Sequence, residues 1–404
     1  MNIKKSAWYL IFFLLSLNLS IVHGLYYYDL LVLPFLVVAL LFGKVHLSNE
    51  SSLVIKLILI LLFFPAFLGM CYQIVFLGIL EKYSIYIPYN LTVLIMYILF
   101  FDAFKGYEKL NYTAIVFMFS IPVIISLLMI FIPAFNDVII KYYNIERTLY
   151  MRHGGIWGDD VNQMGFYSML HMILSYTLYR IKKIPGYVMI LMFVLSISTL
   201  LLSGMRTGLV VLLGLMIFSG LFFGSPFIAR KHIAIVAGIT VVMLFLTSVA
   251  FPLYFETIIA RFDVYLFIEQ LVGSSGDGHV GDMYLKWFSI FFNERNILDI
   301  LFSFYPEWKY PDSLVIFILA NSGLFGLVTS MLFVSALLTL SVMSNNNLLR
   351  QYVIIIVLML VAVSFKGIFA FNNIGMFLFV FLYYLIKSES DRSFVMVCID
   401  DYKK

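Results

Sequence analysis

The chain has 404 residues, of which 63% are hydrophobic, 18% aromatic and 12% charged, with a mean hydropathy of +1.02. No polar stretch is long enough to enclose a core of its own, so a soluble multidomain protein is excluded and an integral membrane protein is indicated. The net charge of +4 is small, and no basic run interleaved with aromatics is present, which removes nucleic acid as a partner.

The N-terminus, MNIKKSAWYLIFFLLSLNLSIVHG, has the basic-then-apolar shape of a signal peptide. It lacks a small-residue cleavage site and another apolar run follows at once, so it reads as a retained first span. Apolar windows of about 20 residues then predict about twelve membrane-spanning helices. They fall near 7–22, 25–43, 53–79, 88–104, 113–133, 163–179, 184–202, 207–224, 232–253, 312–342, 350–365 and 368–386. The third is long for one crossing, and Pro65 marks a place for a kink; the tenth is also long, with its first turn outside the bilayer. The expected fold class is therefore all-α: a polytopic membrane protein forming one domain over residues 1–404, with extracytoplasmic loops at 134–162 and 254–311. Cys71 sits in an apolar run and Cys398 near the C-terminus, so no disulfide framework is implied.

Orientation follows from where the cations sit. Alternating sides from a cytoplasmic start places 16 of the 26 basic residues on the inner side, in the two termini and in short turns such as YRIKKIPG and IARKH. The outer loops are far longer and poorer in Lys and Arg, which predicts both termini in the cytoplasm. Span centres are almost free of charge. A transporter would carry its site near the midplane, whereas the polar groups here gather at outer span ends.

The first outer loop contains MRHGGIWGDDVNQMG, a polar island between two apolar runs. Asp159, Asp160, Asn162 and Gln163 suit hydrogen bonds to sugar hydroxyls, Trp157 suits stacking on a sugar face, and His153 completes the substrate-binding candidates. The bland reading is a Gly-rich turn capped by Asp ahead of a helix, and the two are compatible. With one histidine and no ligand spacing, no metal site is assigned. Arg147 and Arg152 lie in the same loop, Arg206 in the tight turn SGMRTG, Arg261 at the start of the second loop and Lys366 at an outer span end. Guanidinium groups converging on one place suit a phosphate or diphosphate; the alternative is that each snorkels to lipid headgroups.

The second outer loop carries GSSGDGHVGD, whose Gly276, Gly278 and Gly281 match G-x-G-x-x-G. No strand–helix unit follows, so a dinucleotide site is rejected and an anion-binding turn stays open. His279 is either a surface residue or a general base, and Asp312 is either the cap of the next helix or a carboxylate that takes a proton from an attacking hydroxyl. No P-loop, H-E-x-x-H, G-x-S-x-G or Cys–His pair is present. A reaction here must draw its energy from the leaving group of its own substrate, and no cofactor is called for.

These segments resemble the bacterial Wzy-type polymerases of O-antigen and capsular polysaccharide, within the O-antigen ligase/polymerase superfamily. RHGGIWGDDVNQMG is similar to the family's Arg-x-x-Gly segment with a following Asn, and SGMRTGLVVLL to its Ser/Gly-x-Arg-x-x turn and helix. Arg261, a Gly-rich loop and then ANSGLFGL entering a span resemble its large outer loop and exit. Arg147 to Gly158 also fits an Arg-x10-Gly pattern, which Arg261 to Gly273 misses by one residue. The resemblance implies that Arg152, Arg206 and Arg261 bind the diphosphate of an undecaprenyl-diphosphate-linked oligosaccharide, with Asp312 or His279 as the base. It also implies the bacterial cytoplasmic membrane, membrane lipid as surroundings and a chain-length regulator protein as a partner. The ligase branch carries a His near the end of the large loop, where this chain has Pro311-Asp312-Ser313. Ligase and lipid-linked-saccharide flippase are the rival readings.

Overall fold

In a computed structural model the described residues are 3–16, 32–41, 47–78, 82–132, 161–203, 296–302, 314–343, 347–364 and 373–402, with single positions and pairs between 134 and 138, between 234 and 249, and at 256. These residues are almost wholly helical, with no strand among them. The elements are α1 (Lys5–Ser16), α2 (Leu33–Leu41), α3 (Asn49–Ile58), α4 (Phe64–Tyr72), α5 (Lys82–Ala103), α6 (Tyr112–Phe131), α7 (Val161–Arg180), α8 (Gly186–Ser203), α9 (Ile297–Phe302), α10 (Leu314–Val342), α11 (Asn347–Ser364) and α12 (Asn373–Tyr402). Three stretches are long and apolar enough to cross a membrane: Asn49–Phe76, Tyr112–Met129 and Leu314–Val342. Shorter apolar helices are Lys5–Ser16, Ile87–Ala103, Gly186–Leu201 and Asn347–Val361. The expected span 207–224 and most of 232–253 lie outside the described residues.

Local chemistry sets where these helices begin. Ser48 is extended (φ −64°, ψ 151°) and its Oγ accepts from the Ser51 N–H at 3.3 Å, with Glu50 in the first turn facing the positive end of the helix. Asn111 caps α6 in the same way, its Oδ1 accepting from Thr113 N and Ala114 N at 3.1 and 3.4 Å.

The kink anticipated at Pro65 takes another form. Between α3 and α4 the chain makes a π-turn, Leu59–Phe63, in which the Phe64 N–H reaches the Leu59 carbonyl. Proline has no N–H to return, and its ring collides with the carbonyl one turn back in a regular helix. Widening the preceding turn by one residue relieves both problems, and the helix continues through α4 to a second π-turn, Gln73–Leu77. α10 departs from a straight span as well, since Gly323 adopts φ 62° and ψ −165° inside it.

Between lipid-embedded helices there is little hydrophobic driving force, so close packing and polar contacts do the holding. α7 packs along α8, α6 against both α1 and α8, α12 against α5, and α10 against α4, α9 and α11. Trp8 of α1 is fully buried in an aromatic cluster: its ring lies 5.7 Å from Phe101 in a stacked arrangement and 5.5 Å from Tyr107 edge-on. Phe12 extends the cluster to Phe381 of α12 at 4.9 Å.

One end of the bundle is closed by ions and hydroxyls. Lys387 Nζ meets Glu50 Oε2 at 2.6 Å, Lys183 Nζ meets Glu389 Oε1 at 2.7 Å, and the Ser48 N–H donates to Asp102 Oδ2 at 2.7 Å. Ser51 Oγ and the Tyr384 hydroxyl share a buried hydrogen bond of 2.6 Å. Segments 48–51, 102–112, 180–186 and 384–389 therefore meet at a common end. Gln73 lies on the same continuous helix as Glu50 but about 35 Å further along, so its surroundings form the opposite end.

Candidate functional site

Of the residues picked out from the sequence, Arg147, Arg152, His153, Trp157, Asp160, Arg206, Arg261, His279 and Asp312 lie outside the described residues, as does Lys366. Asn162 falls at the second position of α7, where only the helical backbone is described. What the structure does assemble is a polar junction at the end remote from Glu50, built from residues that sequence reading passed over.

Its centre is Ser84, at the start of α5. The Ser84 Oγ lies 2.6 Å from the Gln73 amide and 2.7 Å from Asn321 Oδ1, while Asn321 Nδ2 donates to the Phe317 carbonyl at 2.8 Å. That last bond orients the Asn321 amide, so its oxygen accepts the single proton that Ser84 can give. Gln73 Oε1 faces the same hydroxyl at 2.6 Å as a second acceptor. Gln73, Ser84 and Asn321 are 0%, 1% and 5% exposed, so α4, α5 and α10 are tied by a relay shielded from solvent and lipid. A buried amide deprived of its partner costs about 1–3 kcal/mol, which makes this junction specific as well as adhesive.

Two glycines let backbones meet beside the relay. A Cβ on Gly69 of α4 would collide with the Asn321 carbonyl oxygen and stand 3.0 Å from the Phe302 carbonyl of α9. A Cβ on Gly323 would strike the carbonyl group of Leu301. The short helix α9, drawn from the region of the second loop, is thus wedged where α10 breaks. The Tyr72 hydroxyl of α4 donates to Asp299 Oδ1 of α9, and the Tyr72 ring stacks on Phe76 with centroids 4.9 Å apart. Sequence signals for this junction existed: a carboxylate inside the apolar NILDILF, and single amides within MCYQIVFL and FILANSG.

Next to the junction an apolar cavity of about 190 Å³ runs between α4, α5, α10 and α11, bordered on α10 by Ser322, Gly326 and Ser330 and elsewhere by Pro65, Leu91 and Val361. The cavity is apolar apart from Ser322 and Ser330 on α10, so it suits an apolar chain. A separate polar contact lies deeper in the bundle. His171 of α7 is 1% exposed, with Nδ1 2.8 Å from Ser196 Oγ of α8 and Nε2 3.4 Å from the Val116 carbonyl of α6. A carbonyl only accepts, so Nε2 carries the proton and Ser196 donates to Nδ1; the ring acts as a neutral tie among three helices. No group of His, Cys, Asp and Glu able to hold a metal is found among the described residues.

These features define the class of the molecule: an all-helical protein whose long apolar helices are fit to cross a membrane, with a buried polar junction at one end. No protein-family model matches the chain, and no curated protein or solved structure matches it.

Proposed function

We propose that the chain is a polysaccharide polymerase of the bacterial cytoplasmic membrane, joining undecaprenyl-diphosphate-linked repeat units of O-antigen or capsule at the outer face. In this reading about twelve helices cross the bilayer, both termini lie in the cytoplasm, and the loops 134–162 and 254–311 lie outside. A sugar hydroxyl of one lipid-linked unit attacks the anomeric carbon of the growing chain, and lipid diphosphate departs without a nucleotide sugar. Arg152, Arg206 and Arg261 bind and stabilise the departing diphosphate, where negative charge develops. Arg147, His153, Trp157, Asp160 and Asn162 hold the sugars, with Asp312 or His279 as the base.

The observation that carries this reading is the placement of polar groups: the hydroxyl-binding candidates and Arg147, Arg152 and Arg261 fall in the two segments 134–162 and 254–311, between long apolar runs whose centres are almost free of charge. The apolar cavity between α4, α5, α10 and α11 supports it, since the substrate carries a lipid chain. The lack of a histidine at Pro311-Asp312-Ser313 favours polymerase over ligase.

The test is deletion of the gene followed by electrophoresis of the surface glycan. Loss of a polymerase leaves a single repeat unit on its acceptor, whereas loss of a ligase leaves none. An intact ladder rejects the proposal. Alanine at Arg152, Arg206 or Arg261 is expected to abolish the ladder while the protein still reaches the membrane, and full activity in all three removes the site assignment.

A further inference from the structure

We propose that Asp299, held by Tyr72, is the acceptor subsite of this transfer and takes the proton of the attacking sugar hydroxyl. The inference rests on the polymerase reading and puts Asp299, whose surroundings are described, in the place of Asp312 or His279 as its base.

Asp299 is the one charged residue of α9 (ILDILF), a helix of 6 residues whose Ile297 and Leu298 are 75% and 50% exposed. A carboxylate in so apolar a segment is costly unless it is hydrogen-bonded, and the Tyr72 hydroxyl supplies that bond at Oδ1. Asp299 is half-buried; its Oδ1 is held by Tyr72, and its Oδ2 makes no hydrogen bond among the described residues.

Backbone contact fixes the position of this carboxylate. α9 lies against the break in α10, where Gly323 leaves no room between itself and the Leu301 carbonyl, and the Phe302 carbonyl lies against Gly69 of α4. A catalytic group needs such support, because a small displacement of the reacting atoms costs much of the rate.

Beside the carboxylate the Tyr72 ring stacks on Phe76 at 4.9 Å and lies 6.2 Å from Phe302, and Phe76 is 67% exposed. A flat apolar face next to a hydrogen-bond acceptor fits a sugar ring, whose C–H face lies on the aromatic while a hydroxyl donates to the carboxylate. In the transfer step the acceptor hydroxyl oxygen forms a bond to the donor's anomeric carbon. The bond from that carbon to the diphosphate oxygen breaks, and its electron pair leaves on the lipid diphosphate. The hydroxyl proton passes to Asp299 Oδ2 and from there to water.

The experiment uses the full-length chain in cells deleted for the chromosomal copy, with the host's own lipid-linked repeat unit as the probe. Growth of the glycan ladder is followed by entry of labelled sugar into bands above a single repeat, normalised to the amount of protein in the membrane. Asp299→Asn still accepts the Tyr72 hydrogen bond but cannot take a proton; it is expected to slow ladder growth by about 100-fold or more. Asp299→Glu keeps a carboxylate and is expected to retain at least about ten times the rate of the Asn variant, since a general base contributes roughly 100-fold or more. Growth of Asp299→Asn within about tenfold of the wild type overturns the proposal, because a general base contributes more than that. So does equal activity of the Asn and Glu variants, as expected if the pair merely clamps α9 or if Phe76 faces lipid. If both variants are missing from the membrane, Tyr72→Phe decides: slowed growth at normal protein level supports the subsite, and full-rate growth overturns it. A wild-type chain that restores no ladder overturns the polymerase reading together with this inference, whereas a restored ladder with an active Asp299→Asn overturns the inference alone.

Discussion

Gly323 occupies φ 62° and ψ −165°, a region that side-chain-bearing residues avoid, and any Cβ there meets the Leu301 carbonyl. Both costs fall on one substitution. Gly323→Ala is expected to destabilise the protein by at least about 2 kcal/mol, combining backbone strain with overpacking. A thermal melt in detergent checks this, and a melting curve superposable on the wild type would show that α9 is not wedged at the break. The sequence marked this place as ANSGLFGL, a polar entry into a span, but did not reveal that its second residue ties down Ser84 or that its glycine breaks the helix. A glycine inside an apolar run reads equally as a packing residue or as a bend. Only its neighbours across the bundle separate the two.

Helices in this chain are joined by polar atoms more tellingly than by apolar ones. The Gln73–Ser84–Asn321 relay links α4, α5 and α10, while apolar contacts between lipid-immersed helices differ little from contacts with lipid. Asn321→Leu removes one of the two amides that hold the Ser84 hydroxyl and should cost about 0.5–1.5 kcal/mol. Ser84→Ala should cost a similar amount, and the double variant less than the sum of the two, since members of one network are not additive. Detergent melts of the four proteins give the coupling directly; strict additivity would mean that the relay is not a unit. Some element limits were legible, because about 20 apolar residues mark a crossing whatever the tertiary arrangement. The expected spans 113–133, 163–179 and 184–202 lie within two residues of α6, α7 and α8. The π-turn at Pro65 was not legible as such, since proline announces only that a regular turn fails, and how the failure is absorbed depends on what packs nearby.

Across the whole molecule, Lys387–Glu50 and Lys183–Glu389 gather at the end opposite the polar junction. The Glu50 side chain is 63% exposed, so Glu50→Ala is expected to change stability by no more than about 1 kcal/mol, as a melt of that variant will show. Those groups bear on sidedness more than on strength. In the orientation proposed above this end faces the cytoplasm, and reporter fusions at either terminus are expected to be active only in cytoplasmic assays. A terminus active outside the cell reverses that orientation and removes the outer-face site with it.

By itself the sequence determined that this is an all-helical chain suited to a membrane, where several of its helices fall and which segments are polar, because hydropathy and length are properties of the chain alone. The cations and hydroxyl-binding residues of the proposed chemistry, from Arg147 to Asp312, are likewise chosen from the sequence. Only the tertiary structure decided which solitary polar residues inside apolar runs meet. Asn321 is 237 residues along the chain from Ser84, and Asp299 is 227 from Tyr72, and each taken singly is unremarked. Their pairing comes from two glycines that allow three backbones to touch, a coincidence in space that no periodicity along the chain encodes.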